Sequence, residues 1–152
     1  MKENLTAAKG AITALVTALA SILGWKGILV TLWVAAMALD YLSGTAAACK
    51  RGDWASARAR EGLWHKGGML LVVLTAAMTD VAVAMAAANL GLSSGSGLVL
   101  PLVLAWYILT ELGSVLENAV KLGAKVPSWL IGILRAGQKA LENAGEKNQK
   151  NL

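Results

Sequence analysis

The sequence predicts an all-α membrane protein: a bundle of three or four transmembrane helices followed by a C-terminal amphipathic basic helix. Three observations carry that prediction. The chain is 57% hydrophobic and only 15% charged, whereas soluble domains are about 25% charged. Lys and Arg are absent from residues 27–49 and 67–120, a segregation expected where a charge at mid-bilayer costs at least about 2.5 kcal/mol. The blocks between the charges reach the roughly 20 residues needed to span a bilayer. Ala, Leu, Val and Gly dominate them and Phe is absent, which favours helices, the simplest way to satisfy every backbone group in lipid.

The chain divides into an N-terminal hydrophobic segment (1–26), a transmembrane core (27–120) and a basic tail (121–152). In the first block the polar residues Lys9, Thr13, Thr17 and Ser21 recur at a strict spacing of four, forming one narrow stripe on a helix. Two readings stay open: a first span whose stripe faces a neighbouring helix or water, or an interfacial helix with its hydroxyls bonded to its own carbonyls. A signal peptide, with Ala18-Leu19-Ala20 as its cleavage site, is disfavoured because hydroxyls break the apolar region.

The three core blocks are expected as spans at about 27–48, 67–91 and 97–120. Trp25 stands at the head of the first, where an indole anchors at headgroup level. Ala36, Asp40, Gly44 and Ala47 share a face narrow enough for close helix approach. Residues 50–66 carry five basic and two acidic side chains and read as a polar loop. Residues 92–97, Leu-Ser-Ser-Gly-Ser-Gly, read as a tight turn. Pro101 falls in the first turn of the next helix, where proline is tolerated. After Pro127, Trp129, Leu130, Ile133, Leu134 and Leu141 recur at helical spacing beside Arg135 and Lys139, the pattern of an amphipathic basic helix on a membrane surface.

Charge sets the expected topology. The basic loop and tail belong in the cytoplasm and the uncharged turn outside. Four spans, with a cytoplasmic N-terminus, satisfy the rule better than three, and Lys26 is a mild cost in either case.

Asp40, Asp80 and Glu111 lie inside the spans. Counted at 1.5 Å per residue from the outer ends, all three fall at about 16–21 Å depth, which predicts one carboxylate layer. Three accounts stay open: protonated acids bonding between helices, acids facing water in an oligomeric pore, or pairing with Lys50, Arg51 or Lys66 reaching in from the cytoplasmic side. Acids at membrane depth are functional candidates.

Other classes find no support. His65 and Cys49 are the single histidine and the single cysteine, which leaves no metal site and no internal disulfide. The sequence offers no nucleophile–base pair and no phosphate-cradling loop, so neither catalysis nor a cofactor is expected. The basic residues flank spans, which points to anionic lipid headgroups and away from nucleic acid.

Four short motifs in order carry a resemblance. Asp40-Tyr41-Leu42-Ser43-Gly44 resembles an Asp-Tyr-x-Thr-Gly signature, with Lys50-Arg51-Gly52 following it. Gly62-Leu63-Trp64-His65-Lys66-Gly67 resembles a basic entry to the next span. Glu111-Leu112-Gly113-Ser114-Val115-Leu116-Glu117-Asn118 resembles Glu-Leu-x-Ser-Ile-x-Glu-Asn. Lys121-Leu122-Gly123 and Val126-Pro127 match a Gly-x-x-x-Pro exit. Over residues 27–135 the chain thereby resembles the toxin-secretion/phage-lysis holin family, with Ser43 where Thr is commoner. The resemblance implies a homo-oligomer in the bacterial inner membrane, C-terminus cytoplasmic. It implies timed lesions that release an endolysin without direct contact, and no enzyme activity. Asp40, Ser43, Gly44, Asp80, Glu111, Ser114, Glu117 and Asn118 become candidates for the pore or oligomer switch. A non-lytic channel or transporter, a toxin-export pore, and a membrane adaptor are the rival readings.

Overall fold

The computed structural model describes residues 2–52, 56–92 and 97–150. They form five helices: α1 (Lys2–Leu23), α2 (Trp25–Lys50), α3 (Ser56–Asn89), α4 (Val99–Leu122) and α5 (Ser128–Lys150). Among the described residues there is no strand. Trp25–Lys50, Gly62–Asn89 and Val99–Leu122 are long and apolar enough to cross a membrane. Leu32, Leu39, Leu70, Leu74 and Met78 point outward from α2 and α3 and are at least half exposed or nearly so. In water such a surface would aggregate; in a bilayer it meets lipid.

The helices are built on seven-residue repeats. On α2 the stripe is Trp33, Ala36, Asp40, Ser43 and Ala47; on α3 it is Lys66, Met69, Val73, Ala76 and Asp80. On α4, Leu104, Glu111 and Asn118 recur every seventh position and are buried. A 3-4 alternation keeps one seam facing its partners along a long helix. α4 packs against α2 and α3. Trp33, Met69, Val73, Ala76, Leu100 and Leu104 form the apolar core, with the Trp33 and Tyr107 rings stacked at 6.4 Å.

Two expectations about α3 are corrected. The stretch read as a polar loop, 50–66, is helical from Ser56 onward; its Ala-Arg-Ala-Arg-Glu run consists of strong helix formers. Residues 53–55 of that stretch and 93–96 of the expected turn lie outside the described residues. α3 also overhangs its neighbour. Asp80, nine residues before the end of α3, sits level with the first turn of α4. Its Oδ1 accepts from the Val99 N–H at 3.0 Å and its Oδ2 from the Leu100 N–H at 3.2 Å. Helix N-termini carry unsatisfied N–H groups and partial positive charge, so the carboxylate stabilises the start of α4. Pro101 lacks an N–H and needs no such partner.

α1 takes no part in the core. It meets α2 at Gly24, whose φ is +60°, and among the described residues it packs against α2 alone. Lys9, Thr13, Thr17 and Ser21 are exposed. Ser21 donates to its own helix, at the Ala18 carbonyl, 2.8 Å away, so the stripe does not meet another helix of the chain.

α4 ends at Gly123, left-handed at φ +101°. A side chain is disfavoured in that conformation. The turn reverses the chain, and α5 runs back along α4: Gly137 lies against Leu109, Gln138 bonds Thr110 and Glu142 bonds Trp106. The tail thus joins the bundle, whereas its amphipathic pattern alone suggested a helix lying apart on a surface. The pattern identifies an apolar face but not the surface that covers it.

The Asp80 cap generates a test. A Cβ placed on Gly97 would overlap the Asp80 side chain, reaching 2.5 Å from its Oδ2. Gly97→Ala is expected to push Asp80 off α4 and destabilise the fold by about 1–3 kcal/mol, the usual scale of overpacking. Thermal unfolding in detergent, compared with Gly113→Ala, where a Cβ meets open space, measures it.

Candidate functional site

Among the described residues, buried charge falls into two layers. The first is centred on Lys66 of α3. Its Nζ donates to Glu111 of α4 at 2.7 and 2.8 Å and to Asp40 of α2 at 3.0 Å. Glu111 is 3% exposed, so its charge lacks water and depends on this ammonium. One lysine therefore ties three helices at a single point. At this level little else joins α2 and α3: a groove of about 660 Å³ opens between them, lined by Met37, Tyr41, Leu63, Trp64 and Leu70, with Lys66 in its wall.

The layer continues toward the Lys50 end of α2. Asn118 donates from Nδ2 to Asp40 at 3.1 Å and to the Ser43 hydroxyl at 3.2 Å. Gly44 lies beside this amide: a Cβ there would meet the Asn118 nitrogen at 3.4 Å, close to ordinary contact. The Asn118 Oδ1 accepts from Lys121 at 3.3 Å. One turn further, the Lys50 ammonium donates to the Leu122 carbonyl, an open acceptor at the end of α4, at 2.6 Å.

The second layer is Asp80. Besides capping α4 it pairs with Lys26 of α2 at 3.4 Å. Lys26 and Asp40 are fourteen residues apart on α2, and Lys66 and Asp80 fourteen apart on α3, about 21 Å in each helix. α2 and α3 run in opposite directions, so each lysine meets the other helix's aspartate. The expected single carboxylate layer is thereby corrected. Asp40 and Glu111 are together, and Asp80 stands about 20 Å away because the outer ends of α3 and α4 are not level. Of the three accounts left open, the described contacts match pairing by Lys66, while Lys50 bonds a carbonyl instead.

Of the candidate residues, Asp40, Ser43, Gly44, Glu111 and Asn118 come together, and Asp80 forms the second layer. Ser114 and Glu117 do not join either. Ser114 donates back to the Thr110 carbonyl at 3.3 Å, and with the exposed Glu117 it lines the crease between α4 and α5. Lys9, Thr13, Thr17 and Ser21 lie on α1, outside the site. Lys26 stands outside the expected site, and Lys66 enters it only as one of three cations able to reach the acids. The signal was present: two spans each with a lysine followed fourteen residues later by an aspartate.

The layers make a charge-balance prediction. Removing one partner of a buried pair typically costs 3–5 kcal/mol, while replacing the whole set with apolar groups is often neutral. Lys66→Met is therefore expected to destabilise strongly, by roughly that amount. The triple variant Lys66→Met/Asp40→Leu/Glu111→Leu should recover most of the loss. Unfolding in detergent compares the two; a triple variant less stable than the single one would contradict the pairing.

Known proteins bear on this arrangement. Residues 17–139 match the bacteriophage holin family. An uncharacterized protein of Clostridium perfringens (strain 13 / Type A) is 32% identical over 124 residues, 82% of this chain and 79% of the relative. An uncharacterized 14.9 kDa protein of the nagH 3' region, also of Clostridium perfringens, is 33% identical over 131 residues, 86% of this chain and 92% of the relative. No solved structure matches the chain significantly. The matched span takes in α2, α3 and α4 entire, with every residue of both charge layers, and the chain belongs to the bacteriophage holin family.

Proposed function

We propose that the protein is a phage holin that accumulates in the bacterial cytoplasmic membrane, oligomerises, and at a set time forms lesions through which an endolysin escapes to lyse the host. The observation that carries this reading is the Lys66 layer. Three spans with apolar outer faces are joined at one depth by two carboxylates and a single ammonium. Such a junction has two acceptable environments. The charges can satisfy one another, as they do here, or water can satisfy them. Apolar packing alone offers no comparable second state. A protein that must wait and then convert needs two arrangements separated by a small free-energy gap.

The orientation follows from charge. Lys50, Arg51, Lys121 and Lys125 gather where α2 and α4 end, and the positive-inside rule makes that end cytoplasmic. The Lys26–Asp80 layer then faces outward. Trp25 at one end and Trp64 at the other are exposed, as interfacial anchors should be. With three spans, α1 lies at the outer end.

Induced expression in a bacterium, with and without a co-expressed cytoplasmic muralytic enzyme, tests the proposal through turbidity and enzyme release. Abrupt lysis requiring both proteins is expected. Depolarisation without enzyme release would indicate a small channel, and a membrane-resident protein with neither effect would indicate an adaptor. Asp40→Asn, Asp80→Asn and Glu111→Gln should each shift the onset of lysis; unchanged timing in all three would remove the charge layers from the switch.

A further inference from the structure

α5 has a charged side, and its position is hard to reconcile with lipid. Leu130, Ile131, Leu134, Gly137 and Leu141 are partly covered; Lys139, Asn143, Glu146 and Lys147 are exposed, as are Trp129 and Ile133 nearer its start, while the exposed Arg135 and Glu142 border the creases with α4. The contacts with α4 run antiparallel and deep. Gln138 Nε2 donates to the Thr110 hydroxyl at 2.9 Å, and the Trp106 indole N–H donates to Glu142 Oε1 at 3.1 Å. Leu141 and Gly145 share a crease with Leu102 and Val103. Thr110 is twelve residues and Leu102 twenty residues from the Leu122 end of α4, about 18 and 30 Å. Docked α5 therefore spans the same depth as α4. Among the described residues it packs on α4 alone, and Lys139, Asn143, Glu146 and Lys147 stay exposed.

We propose that docked α5 forms the wall of the lesion: its apolar side seats on α4 and its charged side faces the water. This rests on the pore reading above. Cations near the bilayer centre cost at least about 2.5 kcal/mol each against lipid, so docked α5 requires water on its outer side. A ring of protomers supplies that, with the leucine faces of α2 and α3 turned to lipid and α5 turned inward. The polar bonds to Thr110 and Trp106 then hold the wall in register. In dispersed protomers no lumen exists, and α5 leaves α4 for the headgroup layer, where its amphipathic pattern is stable.

The test uses the full chain in phosphatidylethanolamine–phosphatidylglycerol liposomes loaded with fluorescent dextran. Leu109→Cys/Gly137→Cys, in a Cys49→Ala background, can be bridged by copper phenanthroline, since a Cβ on Gly137 lies 2.9 Å from Leu109 Cδ1. The bridge is expected to form in releasing liposomes and to leave release undiminished. A nitroxide on Asn143→Cys should be open to a water-soluble nickel chelate and shielded from oxygen dissolved in lipid. No bridge, release abolished by the bridge, or a nitroxide reached by oxygen would each overturn the proposal. Thr110→Cys/Gln138→Cys repeats the test if the first pair fails to fold. Wild-type protein that never releases dextran would instead refute the pore reading itself.

Discussion

The structure depends on how one ammonium is shared. Lys66 is the point at which α2, α3 and α4 meet, and it holds the two carboxylates that could not remain charged in lipid without it. A charge in a bilayer has few tolerable positions, so pairing specifies register more sharply than apolar packing does: sliding a helix by one turn still leaves leucine against leucine, but it separates Lys66 from Glu111. The lysine–aspartate spacing of fourteen, present on both α2 and α3, makes the antiparallel arrangement self-matching. Lys26 meets Asp80 at one end and Lys66 meets Asp40 at the other. Between the layers lie Trp33, Met69, Val73, Ala76, Leu100 and Leu104, with no other charge among them.

The Lys66 layer is also unbalanced. Two acids face one base; Asn118 donates to the more exposed acid, Asp40, while the Ser43 hydroxyl donates to the Asp40 main-chain carbonyl. An excess of acceptors over donors in a dry site is a poor resting place for charge and a good place for water to enter. Dense small-residue contacts at Ala36, Gly44 and Ala47 permit tight association, while the polar junction sets a competing preference for hydration. Moving between the two arrangements would exchange one set of satisfied charges for another, so neither needs to be deeply favoured.

Much of this was legible in the sequence. The spans are readable because charge is excluded from them, and their ends fall within two residues of the helix ends except at the start of α3, which begins eleven residues earlier than expected. Asp40, Ser43, Gly44, Glu111 and Asn118 stand among the eight candidates, but nothing in the sequence separates them from Asp80, Ser114 and Glu117. What failed had specific causes. Lys66 was assigned to a loop because its flanking segment is rich in charge, although Ala-Arg-Ala-Arg-Glu is a helical run. Asp80 was placed at the wrong depth because counting from block ends assumes that the ends are level, whereas α3 overhangs α4 by about nine residues. The doubling back of α5 was not readable, since amphipathicity tells which face is apolar and is silent on which helix receives it. The lysine–aspartate spacing was readable and was passed over, because each lysine was counted as topology and each aspartate as depth.

The most direct test of the central claim is the contact between Lys66 and Glu111 in a bilayer. Magic-angle-spinning NMR of the full chain, with 15N in lysine side chains and 13C in glutamate carboxyl groups, measures that contact, with Glu111→Gln identifying the signal. The account predicts strong dipolar dephasing of the Glu111 carboxyl by a lysine ammonium, lost in Lys66→Met and consistent with N–O contacts of 2.7 and 2.8 Å. A Glu111 carboxyl that shows no dephasing in the resting membrane-bound protein would contradict it.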